Sequence, residues 1–168
     1  RPVDFQFSFY VQYLSRLLVD LILQIPIAMV ATLFFKLQWP TDIRLWLIFI
    51  LSALLGRTIL FFFDYMLACL TFYTTEVWGF GVLIFGMGLF FSGSMIPLAM
   101  LPGSLRVVAT LSPWAQAGYV PLSILSGIQP VGQVPHILLI QLALLIVMGL
   151  LSRWIFRVAI RKVTIQGG

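Results

Sequence analysis

The chain has 168 residues, 61% of them hydrophobic and only 9% charged, with a formal charge of +5. A soluble domain carries roughly 45–50% apolar and about 25% charged residues, so composition excludes a water-soluble globular fold and makes lipid the solvent for much of the surface. The excess of positive charge is modest, so its placement says more than its sum.

Four candidate spans follow in chain order, at residues 17–35, 45–70, 77–95 and 137–156. Each reaches or nearly reaches the ~20 residues that a helix needs to cross the hydrocarbon. A transmembrane barrel would instead alternate polar and apolar positions in ~10-residue segments. The expected class is therefore all-α: a polytopic transmembrane helix bundle of four spans, with short re-entrant helices on the outer side. Residues 1–16 read as a cytoplasmic or interfacial segment, 17–156 as the transmembrane domain and 157–168 as a basic cytoplasmic tail. Pro26 lies inside the first span and should kink it. The third span holds Gly79, Gly81, Gly86, Gly88 and Gly93, a density of small residues that lets another helix or a second subunit approach closely. The chain opens on Arg1 without a signal peptide, so a preceding part carrying further spans is expected.

Charge sets the orientation. With four spans both ends share a side, and that side holds Arg1, Arg16, Arg153, Arg157, Arg161 and Lys162, against Lys36, Arg44 and Arg106 opposite. The positive-inside bias places both ends in the cytoplasm. Arg153, Arg157 and Arg161 recur every four residues and, with Lys162, form an anchor for anionic lipid headgroups rather than a nucleic-acid surface. Trp39, Trp46, Trp78 and Trp154 sit near span ends, where interfacial belts form.

A charge inside the membrane costs ~2.5–3.5 kcal/mol on insertion scales unless it is paired or wet. Arg16 and Asp20 are four apart, and an ion pair between them is the expected compensation. Arg57 and Asp64 lie seven apart on one face of the second span, about 18 and 28 Å below Leu45 at helical rise. Structural pairing is the first reading for them, a place on a translocation path the second and headgroup contact the third. Glu76 falls in the turn before the third span, where a carboxylate can cap the helix N-terminus.

Residues 91–135 do not span. Pro97 and Pro102 prevent a straight helix, residues 104–111 read as a short helix, and Ser112-Pro113 is a second start signal. A soluble loop would be rich in charge, yet Arg106 is the only charged residue here. A re-entrant segment over about 96–127, dipping into the outer leaflet and buried in protein or beside a cavity, suits that pattern.

The run Phe91-Ser92-Gly93-Ser94-Met95-Ile96-Pro97-Leu98, then Leu101-Pro102, Ser112-Pro113-Trp114 and Tyr119-Val120-Pro121, resembles the C-terminal half of type-2 permeases of ATP-binding-cassette transporters. The basic ending 153–168 is similar to a bacterial subgroup of them. The resemblance implies that the four spans are helices three to six of such a permease, in a bacterial inner membrane. It implies that Gly93, Met95, Ile96, Pro97 and Leu98 line or support an outer gate. The implied partners are an ATPase subunit, a second permease copy or paralogue, and membrane lipid. ATP would be bound by the ATPase, because this chain has no glycine-rich phosphate loop and is expected to hold no cofactor.

Two other classes compete. An intramembrane enzyme needs a nucleophile and base or a metal cluster, yet His136 is the only histidine and Cys69 the only cysteine. A passive scaffold or channel would show a repeated polar pore face, which these spans lack. The expected function is export of an amphipathic or lipid-like substrate by alternating access.

Overall fold

The computed structural model describes residues 5–36, 39–70, 73 and 77–166, with Val77 and residues 162–166 described by backbone alone. Among them every regular element is helical, as expected. The chain divides into two units, Arg1–Thr41 and Asp42–Gly168. The Glu76 cap expected from the sequence lies outside the described residues.

The first unit is built on α1, Phe5–Phe35, 31 residues long and apolar enough to cross a membrane. It begins well before residue 17, so the described part of the segment expected to precede the first span is continuous with it. Pro26 lies within the helix, which continues past it. Lys36 follows at φ 49°, the left-handed conformation that commonly ends a helix. The Trp39 indole N–H donates to Thr32 Oγ1 at 2.9 Å, tying the chain after the helix back to its last turn. The expected Arg16–Asp20 ion pair is not formed, and both side chains are exposed. An exposed pair with the base N-terminal to the acid has the weaker i,i+4 order and contributes little.

The second unit opens on Asp42. Its Oδ1 accepts from the Arg44 backbone N–H at 2.9 Å, which caps α2, Ile43–Leu70. This helix packs on α7, Val134–Gln166, whose second residue, Pro135, suits a helix start. Near their starts, Ile48 of α2 and Ile137 and Leu138 of α7 pack against one cluster that includes Val134. Further along, Ser52 meets Gln141, Phe62 meets Gly149 and Tyr65 meets Phe156. Residue numbers rise together on both helices, so α2 and α7 run parallel. The chain between them must therefore return to the end where α2 began.

Part of that return is α3, Val77–Phe91. The sequence suggested a span over 77–95, and the helix stops four residues earlier. Its 15 residues cover about 22 Å, short of the ~30 Å hydrocarbon. The cause is local. Gly93 takes φ 82°, and the Met95 N–H folds back onto the Leu89 carbonyl at 3.4 Å, so Ser92-Gly93-Ser94 terminates the helix. Among the described residues three helices have the length and hydropathy to cross a membrane, and α3 is a shorter apolar one.

The rest of the return is broken into short pieces. A 3-10 turn, Leu98–Met100, fits between Pro97 and Pro102 and leads to α4, Gly103–Leu111. Ser112 ends α4 and starts α5, Pro113–Ala117; its Oγ accepts from the Ala115 N–H at 3.3 Å, and Pro113 occupies the first turn. After Gly118 the chain continues as α6, Tyr119–Leu125, and Gly127 at φ 71° closes it. Two apolar clusters hold these pieces. Leu98, Ala109 and Ala115 pack with Phe91, Leu101 and Tyr119. Val120, Ile124 and Val134 pack with Ile48, Ile137 and again Tyr119.

Candidate functional site

The most buried stretch of the second unit is the broken segment α5–α6 and not one of the long helices. It lies along α2 in the opposite direction: Trp114 sits at Phe63, Gln116 at Gly56, and Val120 and Ile124 with Ile48. Those contacts extend over 15 residues of α2, about 22 Å at 1.5 Å per residue. α6 and α7 also meet at Val120, Ile124 and Val134, so the insertion lies against both long helices.

Its seat on α2 is a glycine. A Cβ at Gly56 would lie 1.8 Å from the Gln116 backbone oxygen and 2.5 Å from its carbonyl carbon, so the two backbones touch with no room for a side chain. The Gln116 carbonyl belongs to the end of a five-residue helix, where carbonyls lack an intrahelical partner. Gln141 of α7 supplies a donor: its Nε2 lies 3.4 Å from that oxygen and 3.3 Å from the Ser52 carbonyl. The Gln116 side chain reaches elsewhere, donating from Nε2 to the Thr110 carbonyl at 2.7 Å, which holds α4 to α5. Ser52, Gln116 and Gln141 are all almost fully buried. Their Oγ, Oε1 and Oε1 have no hydrogen-bond partner among the described residues.

Trp114 makes the aromatic half of the site. Its ring stacks on Phe91 at 6.0 Å, meets Phe63 edge-on at 4.9 Å and covers Gly88, whose Cβ would lie 3.1 Å from Nε1. One indole thereby joins α2, α3 and α5.

The candidate gate residues divide. Leu98 is fully buried as an anchor of the first cluster, whereas Met95, Ile96 and Pro97 are exposed. Gly93 is the turn itself, and a Cβ there would touch Leu98 and Tyr119 at 3.4 and 3.5 Å. Ser92 and Ser94 share a hydroxyl hydrogen bond beside it. Arg57 and Asp64 are both exposed, and no ion pair joins them or ties either to another described residue. Arg153, Arg157 and Arg161 are exposed along the C-terminal part of α7, while the Lys162 side chain lies outside the described residues. His136 is exposed in the first turn of α7.

Sequence reasoning singled out Gly93 and the Ser112 cap but missed Ser52, Gly56, Gln116 and Gln141. A signal was present: Gln141 is the only polar residue between Ile137 and Leu151, and a lone amide in such a run needs a partner.

No curated protein and no solved structure matches the chain. A family match covers residues 1–167, essentially its whole length, and the family is described as ABC-2 family transporter protein. With three long apolar helices, and with the turn, cap and broken helices carrying the residues of that resemblance, this is an integral membrane protein. The chain belongs to the ABC-2 family of transporter proteins, as a permease of an ATP-binding-cassette transporter.

Proposed function

We propose that this permease exports an amphipathic or lipid-like substrate by alternating access, paired with a second permease copy or paralogue and driven by a separate ATPase subunit that binds the ATP. The seating of α5–α6 against both α2 and α7 carries this reading. Interrupted helices are tolerated at membrane depth only when buried in protein or facing water. A segment seated on both long helices must respond when they shift against each other. Trp114 at Phe63, about 30 Å along α2 from Ile43, supports a re-entrant excursion deeper than the outer leaflet. Met95, Ile96 and Pro97 are exposed beside an anchored Leu98, which packs with Phe91 under Trp114, and so suit a gate within the membrane rather than at its outer surface.

The parallel run of α2 and α7 supports α3 with the broken segment as the return crossing. The exposed Arg153, Arg157 and Arg161 support a cytoplasmic C-terminus at an anionic leaflet of a bacterial inner membrane. Open space around Gly79, Gly81 and Gly86 on α3 supports close approach by a second subunit. The ATPase partner follows from the family in general.

The test is reconstitution of the full-length protein with its co-purified ATPase in phosphatidylethanolamine–phosphatidylglycerol vesicles bearing a fluorescent phospholipid. ATP should move the probe between leaflets, and a hydrolysis-deficient ATPase should abolish the movement. An ATPase that never co-purifies, or movement indifferent to ATP, would overturn the proposal.

A further inference from the structure

The Gln141 junction has more polar atoms than it satisfies. Its amide nitrogen donates to two carbonyl oxygens on two other elements, one for each N–H, at 3.3 and 3.4 Å, beyond the usual ~2.7–3.2 Å range. Among the described residues its own Oε1 has no hydrogen-bond partner, and neither has Ser52 Oγ, one turn before Gly56 on α2. In an apolar interior a half-satisfied polar network is less stable than an apolar contact of the same shape. An apolar residue at 141 would leave the buried Gln116 carbonyl without its donor, so the amide nitrogen is needed here, while Oε1 stays open to a second arrangement.

We infer that Gln141 is a positioning residue of the transport cycle, holding the Gln116 carbonyl in its seat at Gly56 in one state and releasing it in another. In the released state the Gln141 amide turns, and the Ser52 hydroxyl donates to its Oε1. The bond from Gln141 to Gln116 is thereby exchanged for one between Gln141 and Ser52, and α5–α6 is freed from α2. Gln116 is the moving member, since it alone lies on the short helices, while Ser52 and Gln141 lie on the two long ones. The inference rests on the proposed reading of α5–α6 as the element that moves during transport.

Two substitutions act in opposite directions. Gln141→Met removes the hold, and Ser52→Ala removes the partner of the released state. The measurement is hydrogen exchange over residues 113–125 in the full-length protein with its ATPase, without nucleotide and after trapping with ATP and vanadate. In Q141M without nucleotide, uptake should be about fivefold faster than in the unsubstituted protein, the factor that one net hydrogen bond is worth. It should not rise further on trapping. In S52A, uptake without nucleotide should be unchanged, and the rise on trapping should be smaller than in the unsubstituted protein.

A Q141M protein whose uptake over 113–125 still rises on trapping has lost only structural glue, and the inference fails. It fails equally if S52A responds like the unsubstituted protein, or if trapping leaves 113–125 unchanged in the unsubstituted protein. Failure of probe movement in the vesicle assay, with these exchange results intact, would count against the proposed substrate class and not against Gln141.

Discussion

The backbone oxygen of Gln116 fills the space that a side chain at Gly56 would need, 1.8 Å from the position of its Cβ. Glycine within a helix ordinarily costs about 1 kcal/mol relative to alanine, so Gly56→Ala would strengthen α2 were it isolated. In the folded protein the methyl group meets backbone on both sides of the contact, and backbone cannot swing aside as a long side chain can. Overpacking of this kind costs about 1–3 kcal/mol, which outweighs the gain in propensity. G56A should lower the melting temperature in detergent, whereas G103A, at the start of α4 with nothing within 4 Å of its new methyl, should leave it level or raise it. Equal melting of the two variants would mean that α5 does not sit on α2 at this glycine.

Trp114 supports a second test of the same insertion. Its ring joins α3 and α2 at once, stacked on Phe91 and edge-on to Phe63. Truncation of a buried tryptophan costs about 3–5 kcal/mol, and this one is half-buried, so W114A should fall at or below the lower end of that range. W114F retains both ring contacts but not the part of the indole lying over Gly88, and should cost under about 1.5 kcal/mol. The check is urea or thermal unfolding followed by the remaining tryptophans. A W114A protein as stable as W114F would dissolve the aromatic link between α3 and the rest of the unit.

Much of this architecture is legible in the sequence where one short stretch contains the whole cause. Ser112-Pro113 announces a helix start, and the structure forms that cap with the Ser112 hydroxyl on the Ala115 N–H. Pro97 and Pro102 forbid a continuous helix, and only a 3-10 turn fits between them. The end of α3 was legible too, in Ser92-Gly93-Ser94, but hydropathy runs on through Met95 and outvotes a backbone turn. The polar junction is different in kind. Gln141 meets a carbonyl 89 residues away and another 25 residues away, and the contact with Gln116 requires backbone approach at Gly56. Such a relation is created by packing, so local pattern shows only that Gln141 needs a partner. The Arg16–Asp20 pair failed for the opposite reason: the spacing was right, but an exposed pair in the weaker order has little to hold it closed.

Arg57 and Asp64 decide whether a wet path adjoins α2. Seven residues separate them by about 10.5 Å along the axis, too far for direct contact, and neither has an ion-pair partner among the described residues. Two such charges in lipid would each cost ~2.5–3.5 kcal/mol, so their exposed side must be wet or covered by polar protein. The wet reading predicts that Arg57→Cys and Asp64→Cys react in intact membranes with a membrane-impermeant thiol reagent. Native Cys69 is buried and should contribute little background. Ile59→Cys provides the comparison, because Ile59 is fully buried on the same helix. Labelling at positions 57 and 64 should exceed that at 59 by at least about tenfold, and trapping with ATP and vanadate should change it, since alternating access opens and closes such a path. If all three positions label equally slowly, the charges are covered by protein, and the route taken by the substrate lies against another face of α2.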